Sequence, residues 1–323
     1  MQYRRLGRSG LQLSALSFGA WVTFGKQVGR GEARDMLALA HDRGVNYFDN
    51  AETYNNGVAE QVMGDVLADL RFPRDSYCVS SKVFFGAVDE PLPTQRGLSR
   101  KHVIEACHQA MQRLRVDYLD LYFCHRPDPD TPIDETVAAM DTLVRQGKVL
   151  YWGTSEWPAE AIEEAHRVAR ENHFYAPVVE QPQYNLLHRD RVEREYAPLY
   201  EKYGMGTTIW SPLNSGLLSG KYNQGIPADS RLAQPGYEWL RKSVLGEGDE
   251  HLARVRALQP IADELGTSLA QLAIAWCLLN PHVSTVMLGA SKVGQRAQNL
   301  DALELLPRLD ASIARRIGAA AGG

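Results

Sequence analysis

The sequence predicts an α/β fold of the (β/α)8, or TIM, barrel type, in which eight parallel strands alternate with helices. Strand-like apolar runs alternate with amphipathic stretches along almost the whole chain, the pattern of a parallel sheet covered by helices. No linker, low-complexity tract or shift in composition divides the 323 residues. We therefore expect one domain over residues 1–323, with a doubly wound open sheet as the alternative topology.

Eight apolar runs have the length and composition of buried strands. A shorter segment, residues 3–6, is followed by a turn at residues 7–10, which together predict a small N-terminal β-hairpin that closes the bottom of the barrel. The eight barrel strands are predicted at residues 13–18, 45–49, 77–83, 118–125, 149–155, 177–181, 206–210 and 283–289.

Apolar residues at helical spacing separate several of these runs, and Ser99 stands where an N-cap is expected. The segment 217–251 is rich in Gly and Pro and interrupts the seventh unit, which predicts a long lid loop over the site. The stripes are Val103, Cys107, Ala110 and Leu114; Val137, Met140 and Val144; Ile162, Ala165 and Ala169; and Leu269, Leu272 and Trp276, with helix ends predicted at Gly44, Gly147 and Gly204.

The composition excludes several classes of protein. A net charge of -4 carries no basic surplus for nucleic acid, and no run is long enough to span a bilayer or to act as a cleaved signal. Cys78, Cys107, Cys124 and Cys277 are scattered without a C-x-x-C pair, which predicts neither a zinc site nor a disulfide framework. We expect a cytoplasmic protein without a metal, without nucleic acid and without membrane insertion.

Four polar residues follow neighbouring predicted strands at the end where barrel enzymes carry their active sites. Asp49 ends the second run, with Tyr54 just beyond it; Lys82 closes the third run and His125 the fourth. Each alone has a structural alternative, such as capping, pairing or packing. Together they predict a site for proton transfer, in which the Lys82 ammonium lowers the pKa of the Tyr54 phenol, Asp49 holds that ammonium and His125 orients a carbonyl oxygen.

Other chemistries lack their motifs. The chain has no H-x-H or H-E-x-x-H pair for a metal, no G-x-S-x-G elbow, no P-loop and no true G-x-G-x-x-G turn. None of the four polar residues supplies electrons, so a reduction needs a hydride-donating cofactor, and such a cofactor has to lie across the barrel mouth.

Motifs along the whole chain resemble the aldo-keto reductase family: G-V-N-Y-F-D-N-A-E-T-Y, S-S-K-V, D-L-Y-F-C-H-R-P-D, Y-W-G-T-S, E-Q-P-Q-Y-N, I-W-S-P-L and L-G-A-S-K. Within that family the chain is most similar to the branch with the β-subunits of voltage-gated potassium channels and their bacterial relatives. The resemblance implies NADPH-dependent reduction of a small aldehyde or ketone, with catalytic residues at Asp49, Tyr54, Lys82 and His125.

The resemblance also implies a cofactor-binding set. It implies nicotinamide contacts at Ala20, Trp21, Ser155 and Gln181, and stacking and pyrophosphate contacts at Trp210, Ser211, Pro212, Leu213, Ser215, Lys221 and Arg231. It further implies 2′-phosphate and adenine contacts at Gly289, Ser291, Lys292, Gln295, Gln298 and Asn299. Trp21, Phe84 and Phe85 are the predicted substrate pocket; Trp157 and Trp239 are pocket, core or interface residues.

Two functions are compatible with the resemblance. The animal channel subunits carry Asn where this chain has His125, which favours a working reductase here. The alternative is a redox-sensing NADP(H)-binding protein of the β-subunit kind, and Glu156 stands where those subunits carry Arg. The resemblance to tetrameric subunits also implies a homo-oligomer, while Gln295 and Gln298 depart from the residues that often accompany NADP preference.

Overall fold

The computed structural model describes residues 1–21, 29–227, 230–233, 241, 244–246, 250–289 and 293–322. Eight parallel strands of this part of the chain close into a barrel in sequence order, and the last strand pairs with the first. The predicted barrel is confirmed, and the doubly wound alternative is wrong. The barrel strands are β3 (Leu16–Gly19), β4 (Tyr47–Asp49), β5 (Cys78–Val83), β6 (Leu119–Cys124), β7 (Val149–Thr154), β8 (Val179–Glu180), β9 (Gly206–Ile209) and β10 (Val283–Leu288).

Helices surround the barrel, and their buried stripes contact the sheet as the apolar spacing predicts. The Ser99 hydroxyl accepts from the His102 backbone N–H, and Gly44, Gly147 and Gly204 adopt positive φ, so the predicted cap and turns are confirmed. The helices are α1 (Arg30–Asp42), α2 (Val58–Leu70), α3 (Arg100–Leu114), α4 (Ile133–Arg145), α5 (Ala159–Asn172), α6 (Ala197–Tyr203), α7 (Glu250–Glu264), α8 (Leu269–Cys277), α9 (Val293–Leu300) and α10 (Ala311–Ala320).

The N-terminal hairpin is present, but it takes part of the first predicted barrel strand. β1 (Tyr3–Arg5) pairs antiparallel with β2 (Gln12–Ser14), and the chain bends at Ala15 before β3 begins. The predicted strand 13–18 was therefore wrong in its first half. Leu13 is fully buried against the barrel floor, and Leu16 is fully buried in the barrel wall. The apolar run therefore continues through the bend, and the sequence pattern does not reveal where the bend lies.

The other barrel strands are each shorter than predicted, by one to three residues. The run 177–181 is a strand only over β8, although the backbone N–H groups of Val178 and Gln181 still donate to the carbonyls of Trp152 and Thr154 on β7. The run 45–49 pairs only from Tyr47, since the Asn46 side chain accepts from the Ser14 backbone and donates to the Gln12 carbonyl. Both shifts leave the carboxyl ends of the strands where the sequence predicts them.

The barrel interior changes from apolar to polar along its axis. Tyr47, Cys78, Leu121 and Phe123 pack together inside the lower barrel. Side chains two residues further along a strand lie on the same face, so residues such as Lys82 come next towards the carboxyl end. The apolar floor therefore supports a layer of polar groups at the mouth.

Part of the predicted lid, 217–251, lies in the described residues as short helical turns, Asn214–Ser219 and Arg231–Ala233, and as the start of α7. The four cysteines are free and buried. In the part of the chain that the structure describes, no group of three His, Cys, Asp or Glu side chains is arranged to hold a metal ion. No described helix combines the length and the apolar character that crossing a membrane requires.

Candidate active site

A buried ammonium lies at the centre of the barrel mouth. Lys82 Nζ donates to Asp49 Oδ2 at 2.6 Å, to the Asn50 carbonyl at 2.7 Å and to the Tyr54 hydroxyl at 3.1 Å. Burial alone lowers the pKa of Lys82, but the charge of Asp49 and the hydrogen bonds to Asp49 and Tyr54 outweigh it, and the pKa is raised. Lys82 is therefore charged, and all three of its donor positions are used.

The Asp49 carboxylate is held on its other side as well. Its Oδ1 accepts from the Ser80 hydroxyl at 2.7 Å, from the Gln181 amide at 3.2 Å and from the Tyr47 hydroxyl at 3.4 Å. These donors come from β4, β5 and the end of β8. The hydrogen bonds fix the carboxylate in one orientation, so the Lys82 ammonium is positioned by the barrel wall.

Tyr54 presents its hydroxyl to the same ammonium. Because its oxygen accepts from Lys82, its own proton remains available to another acceptor. The sequence predicts that the Lys82 ammonium lowers the pKa of this phenol, and the charge and hydrogen bond of Lys82 do act in that direction, but the net pKa is raised. Burial raises the pKa of Tyr54 more than the charges of Lys82 and Arg126 lower it. The phenol is therefore protonated at neutral pH, which is the state required of a proton donor.

His125 lies beside Tyr54, with their ring centroids 5.9 Å apart. Its side chain is buried, and its Nδ1 has no hydrogen-bond partner among the described residues. Burial, followed by the charges of Lys82 and Arg126, holds the pKa of His125 well below its usual range. The imidazole is therefore neutral, and a neutral ring can donate one hydrogen bond to a carbonyl oxygen.

Aromatic side chains line the mouth above these polar groups. Phe85 packs edge-on against the His125 ring at 5.2 Å and against Phe84 at 4.9 Å. Trp21 packs edge-on against Trp210 at 6.3 Å. Trp21 and Phe85 are 48% and 41% exposed, so they form an open apolar rim. Trp157 is buried in the core, and Trp239 lies outside the described residues.

Two of the residues predicted to contact the nicotinamide form hydrogen bonds with other residues of the protein. The Ser155 hydroxyl donates to the Gln181 carbonyl at 2.8 Å, and the Gln181 amide donates to Asp49 and to the Thr208 hydroxyl. Ala20 is buried, and its backbone N–H donates to the Asp49 carbonyl. Gln181 thus contacts the carboxylate that holds Lys82, while Ser155 is bound to Gln181 and Ala20 to the Asp49 backbone.

The loop that follows β9, the seventh barrel strand, is called the seventh loop, and its backbone conformation lets a ligand approach the main chain closely. Ser211, Asn214, Ser215 and Gly216 all have positive φ, and Asn214 Nδ2 is buried without a hydrogen-bond partner among the described residues. Gly216 has a φ of +91°, which favours glycine, and the absence of a Cβ leaves room for the nearby Lys221 ammonium. Irregular backbone, an unused amide and a nearby cation suit an anionic group. The residues present therefore fit a dinucleotide phosphate, with Pro212 buried and Leu213 partly buried beneath.

The last predicted contacts are only partly described. Ser291 and Lys292 lie outside the described residues, as do the side chains of Arg231 and Gln295. Gly289 and Gln298 are exposed at the end of β10 and on α9, and Asn299 is largely buried.

Three residues near the site had no predicted role. Glu156 has a φ of +59°, and its carboxylate accepts from the Trp210 indole at 3.0 Å and from the Gln183 backbone at 2.6 Å. Glu52 is buried and accepts from the backbone of Phe84 and Gly86. Arg126 lies beside His125. For Arg126 and Glu156 the available signal was a charged residue directly after a predicted strand end, but that signal does not reveal a partner.

Comparisons with known proteins agree with this geometry. A sequence profile described as the aldo/keto reductase family matches residues 15–321. The chain is 51% identical over 320 residues to a probable voltage-gated potassium channel subunit beta of Oryza sativa subsp. japonica, covering 99% of this chain and 96% of that protein. It is 50% identical to a similarly named protein of Arabidopsis thaliana, over 96% and 93% of the two chains. A putative subunit of this kind from Schizosaccharomyces pombe is 46% identical, over 98% and 92%.

Proposed function

Since the chain belongs to the aldo/keto reductase family, we propose that it is an NADPH-dependent oxidoreductase that reduces aldehydes or ketones to alcohols, with Tyr54 as the general acid. One observation carries this proposal: Lys82 Nζ lies 2.6 Å from Asp49 and 3.1 Å from the Tyr54 hydroxyl in a buried layer at the barrel mouth. NADPH, when bound, supplies the hydride for the carbonyl carbon.

The protein's own residues supply the proton. As negative charge develops on the carbonyl oxygen, the Tyr54 hydroxyl donates its proton to that oxygen, and the adjacent ammonium stabilises the phenolate that is left. Asp49 keeps the ammonium charged and in place. The neutral His125 imidazole donates a hydrogen bond that orients the carbonyl oxygen towards Tyr54.

The cofactor is held, in this proposal, by the predicted set at the carboxyl ends of the strands. Trp210 packs against the nicotinamide, Ser155 and Gln181 bind its amide, and the seventh loop with Lys221 binds the pyrophosphate. Ser291 and Lys292, which precede α9 in the sequence, and Gln295 would bind the 2′-phosphate, which would make NADPH the preferred dinucleotide. The left-handed backbone around Gly216 supports the pyrophosphate assignment.

The test follows NADPH absorbance with a panel of aromatic, aliphatic and dicarbonyl aldehydes. The wild type is expected to turn over several of them, and Tyr54→Phe is expected to lower kcat about 100- to 10,000-fold, because it loses general acid catalysis. Tyr122→Phe is the matched control, since that buried hydroxyl donates to the Val103 carbonyl on the outer side of the sheet. No turnover by the wild type, or full activity of Tyr54→Phe, would refute the proposal.

A second function is favoured by the relatives. Proteins 46–51% identical to this chain are named as potassium channel β-subunits, so a redox-sensing NADP(H)-binding subunit is the alternative. Such a protein would retain its cofactor through purification, turn over slowly and co-purify with a partner. Fast multiple turnover with release of NADP would decide for the enzyme.

The proposal also includes a cytoplasmic location and a homo-oligomeric assembly. The four free, buried cysteines support a reducing, cytoplasmic environment, and the relatives' description as subunits supports a homo-oligomer. Light scattering after size exclusion measures the assembly: a mass of 36.0 kDa would correspond to a single chain and contradict it.

A further inference from the structure

Arg126 directly follows His125 at the end of β6 and is partly buried at the barrel mouth. One guanidinium nitrogen donates to the His125 carbonyl at 2.5 Å. The guanidinium carbon lies 5.8 Å from the centroid of the Phe85 ring, whose own centroid is 5.2 Å from that of His125. The cation is therefore held against the aromatic rim, next to the proposed reacting groups.

This cation has no acidic counterpart in the described part of the chain. Arg74, Arg113 and Arg191, which are also partly buried, each form a salt bridge with a carboxylate. Arg126 forms none with any described carboxylate. Its field nevertheless reaches the site, because it lowers the pKa of Tyr54 and of His125.

Three buried or partly buried carboxylates, one close in sequence and two at or just beyond the end of β4, have other partners. Glu52 accepts from two backbone N–H groups in the Phe85 loop and faces His102 at 3.4 Å. Asp128 accepts from the Leu98 backbone at 2.7 Å and from the Thr131 hydroxyl at 2.8 Å. Asp49 is already paired with Lys82. The described residues therefore give the mouth an uncompensated positive charge beside the carbonyl position.

We propose that Arg126 binds a carboxylate on the substrate, so that the preferred carbonyl compounds carry an anionic group opposite the aldehyde. The inference rests on the proposed function and names its substrate class. A guanidinium binds a carboxylate through two parallel hydrogen bonds, and the described residues engage only one nitrogen of the Arg126 guanidinium. The exposed faces of Phe85 and Trp21 suit an aromatic or other apolar spacer between the two groups.

The test compares two aldehydes of nearly equal shape, 4-carboxybenzaldehyde, which is anionic, and 4-nitrobenzaldehyde, which is neutral. The measured quantity is kcat/KM for 4-carboxybenzaldehyde divided by kcat/KM for 4-nitrobenzaldehyde. We expect Arg126→Gln to lower this ratio about 10- to 100-fold, mainly through the KM of the carboxylate, because a charge-assisted hydrogen bond is lost. Arg126→Lys keeps the positive charge but cannot form two parallel hydrogen bonds with a carboxylate, so its ratio is expected to lie between those of the wild type and Arg126→Gln.

Arg5→Gln is the matched control, because Arg5 lies on β1 at the opposite end of the barrel and loses the same charge. It is expected to leave the ratio unchanged. An unchanged ratio in Arg126→Gln, or an equal fall with both aldehydes, would overturn the proposal. The equal fall would mean that Arg126 only positions His125 or Phe85.

A binding measurement separates this inference from the proposed function. Isothermal titration with 4-(hydroxymethyl)benzoate and with 4-nitrobenzyl alcohol needs no turnover. We expect the carboxylate to bind the wild type more tightly than the neutral alcohol, and Arg126→Gln to remove that difference. If no aldehyde is reduced but this difference is present, the proposed reduction fails while anion recognition stands; if aldehydes are reduced without it, the inference alone fails.

Discussion

Replacing Lys82 by Met, alone and together with Asp49→Asn, tests whether the loss of stability comes from leaving one charge of the buried Lys82–Asp49 pair without its partner. The Lys82 side chain is fully buried and Asp49 is 95% buried, with 2.6 Å between Nζ and Oδ2. Lys82→Met leaves the Asp49 carboxylate with only neutral donors from Ser80, Gln181 and Tyr47. Asp49→Asn leaves the ammonium with only neutral acceptors.

The expected magnitude follows from the burial. Removing one partner of a buried, hydrogen-bonded pair typically costs about 3–5 kcal/mol, because the other charge remains without compensation. For 323 residues the unfolding entropy is about 0.7 kcal/mol/K, so each single variant should lower Tm by about 4–7 °C. The double variant, Asp49→Asn with Lys82→Met, leaves no buried charge and should lose much less than the sum of the two.

Thermal unfolding followed by circular dichroism measures all three variants, with activity measured in parallel. Lys202→Met is the control, since Lys202 pairs with Glu163 at 2.8 Å on an exposed surface and should leave Tm near that of the wild type. We expect all three buried-site variants to lose reductase activity while only the single variants lose much stability. Additive losses in the double variant would refute the reasoning that the uncompensated charge is the cost.

Three further predictions concern other parts of the molecule. Glu156→Ala removes the acceptor of the Trp210 indole and should raise the Kd for NADPH about 10-fold by titration calorimetry; an unchanged Kd would contradict it. Burial lowers the pKa of His166 to about 4 from 6.5, so stability is lost as pH falls through that window, by about 1.4 kcal/mol per unit. His166→Gln should remove this contribution from the pH dependence of the free energy of unfolding, so that Tm changes less with pH than it does in the wild type. Gly64→Ala would place a Cβ 2.4 Å from a backbone carbonyl and should lower Tm, whereas Gly318→Ala meets nothing closer than 3.8 Å and should not.

The barrel and the position of its polar layer could be predicted from local sequence. Parallel strands are buried on both faces, so each one produces a continuous apolar run, and the first polar residues after it mark the carboxyl end. This is why Lys82 and His125 were found. The same signal failed at Leu13, because an apolar run does not record where the backbone bends.

Only the tertiary structure decided the electrostatics. Gln181 is 132 residues from Asp49 in sequence, yet its amide donates to that carboxylate, and this contact depends on the closure of the barrel. The raised pKa of Tyr54 likewise depends on how much water the surrounding segments exclude, which no residue type specifies. The absence of a described acidic partner for Arg126 is also a property of the folded chain, since Asp128 is near it in sequence but accepts from the Leu98 backbone and the Thr131 hydroxyl instead. The sequence by itself thus determined which chemical groups stand at the barrel mouth, whereas the tertiary structure determined their charge states and partners, because both depend on long-range packing and the exclusion of water.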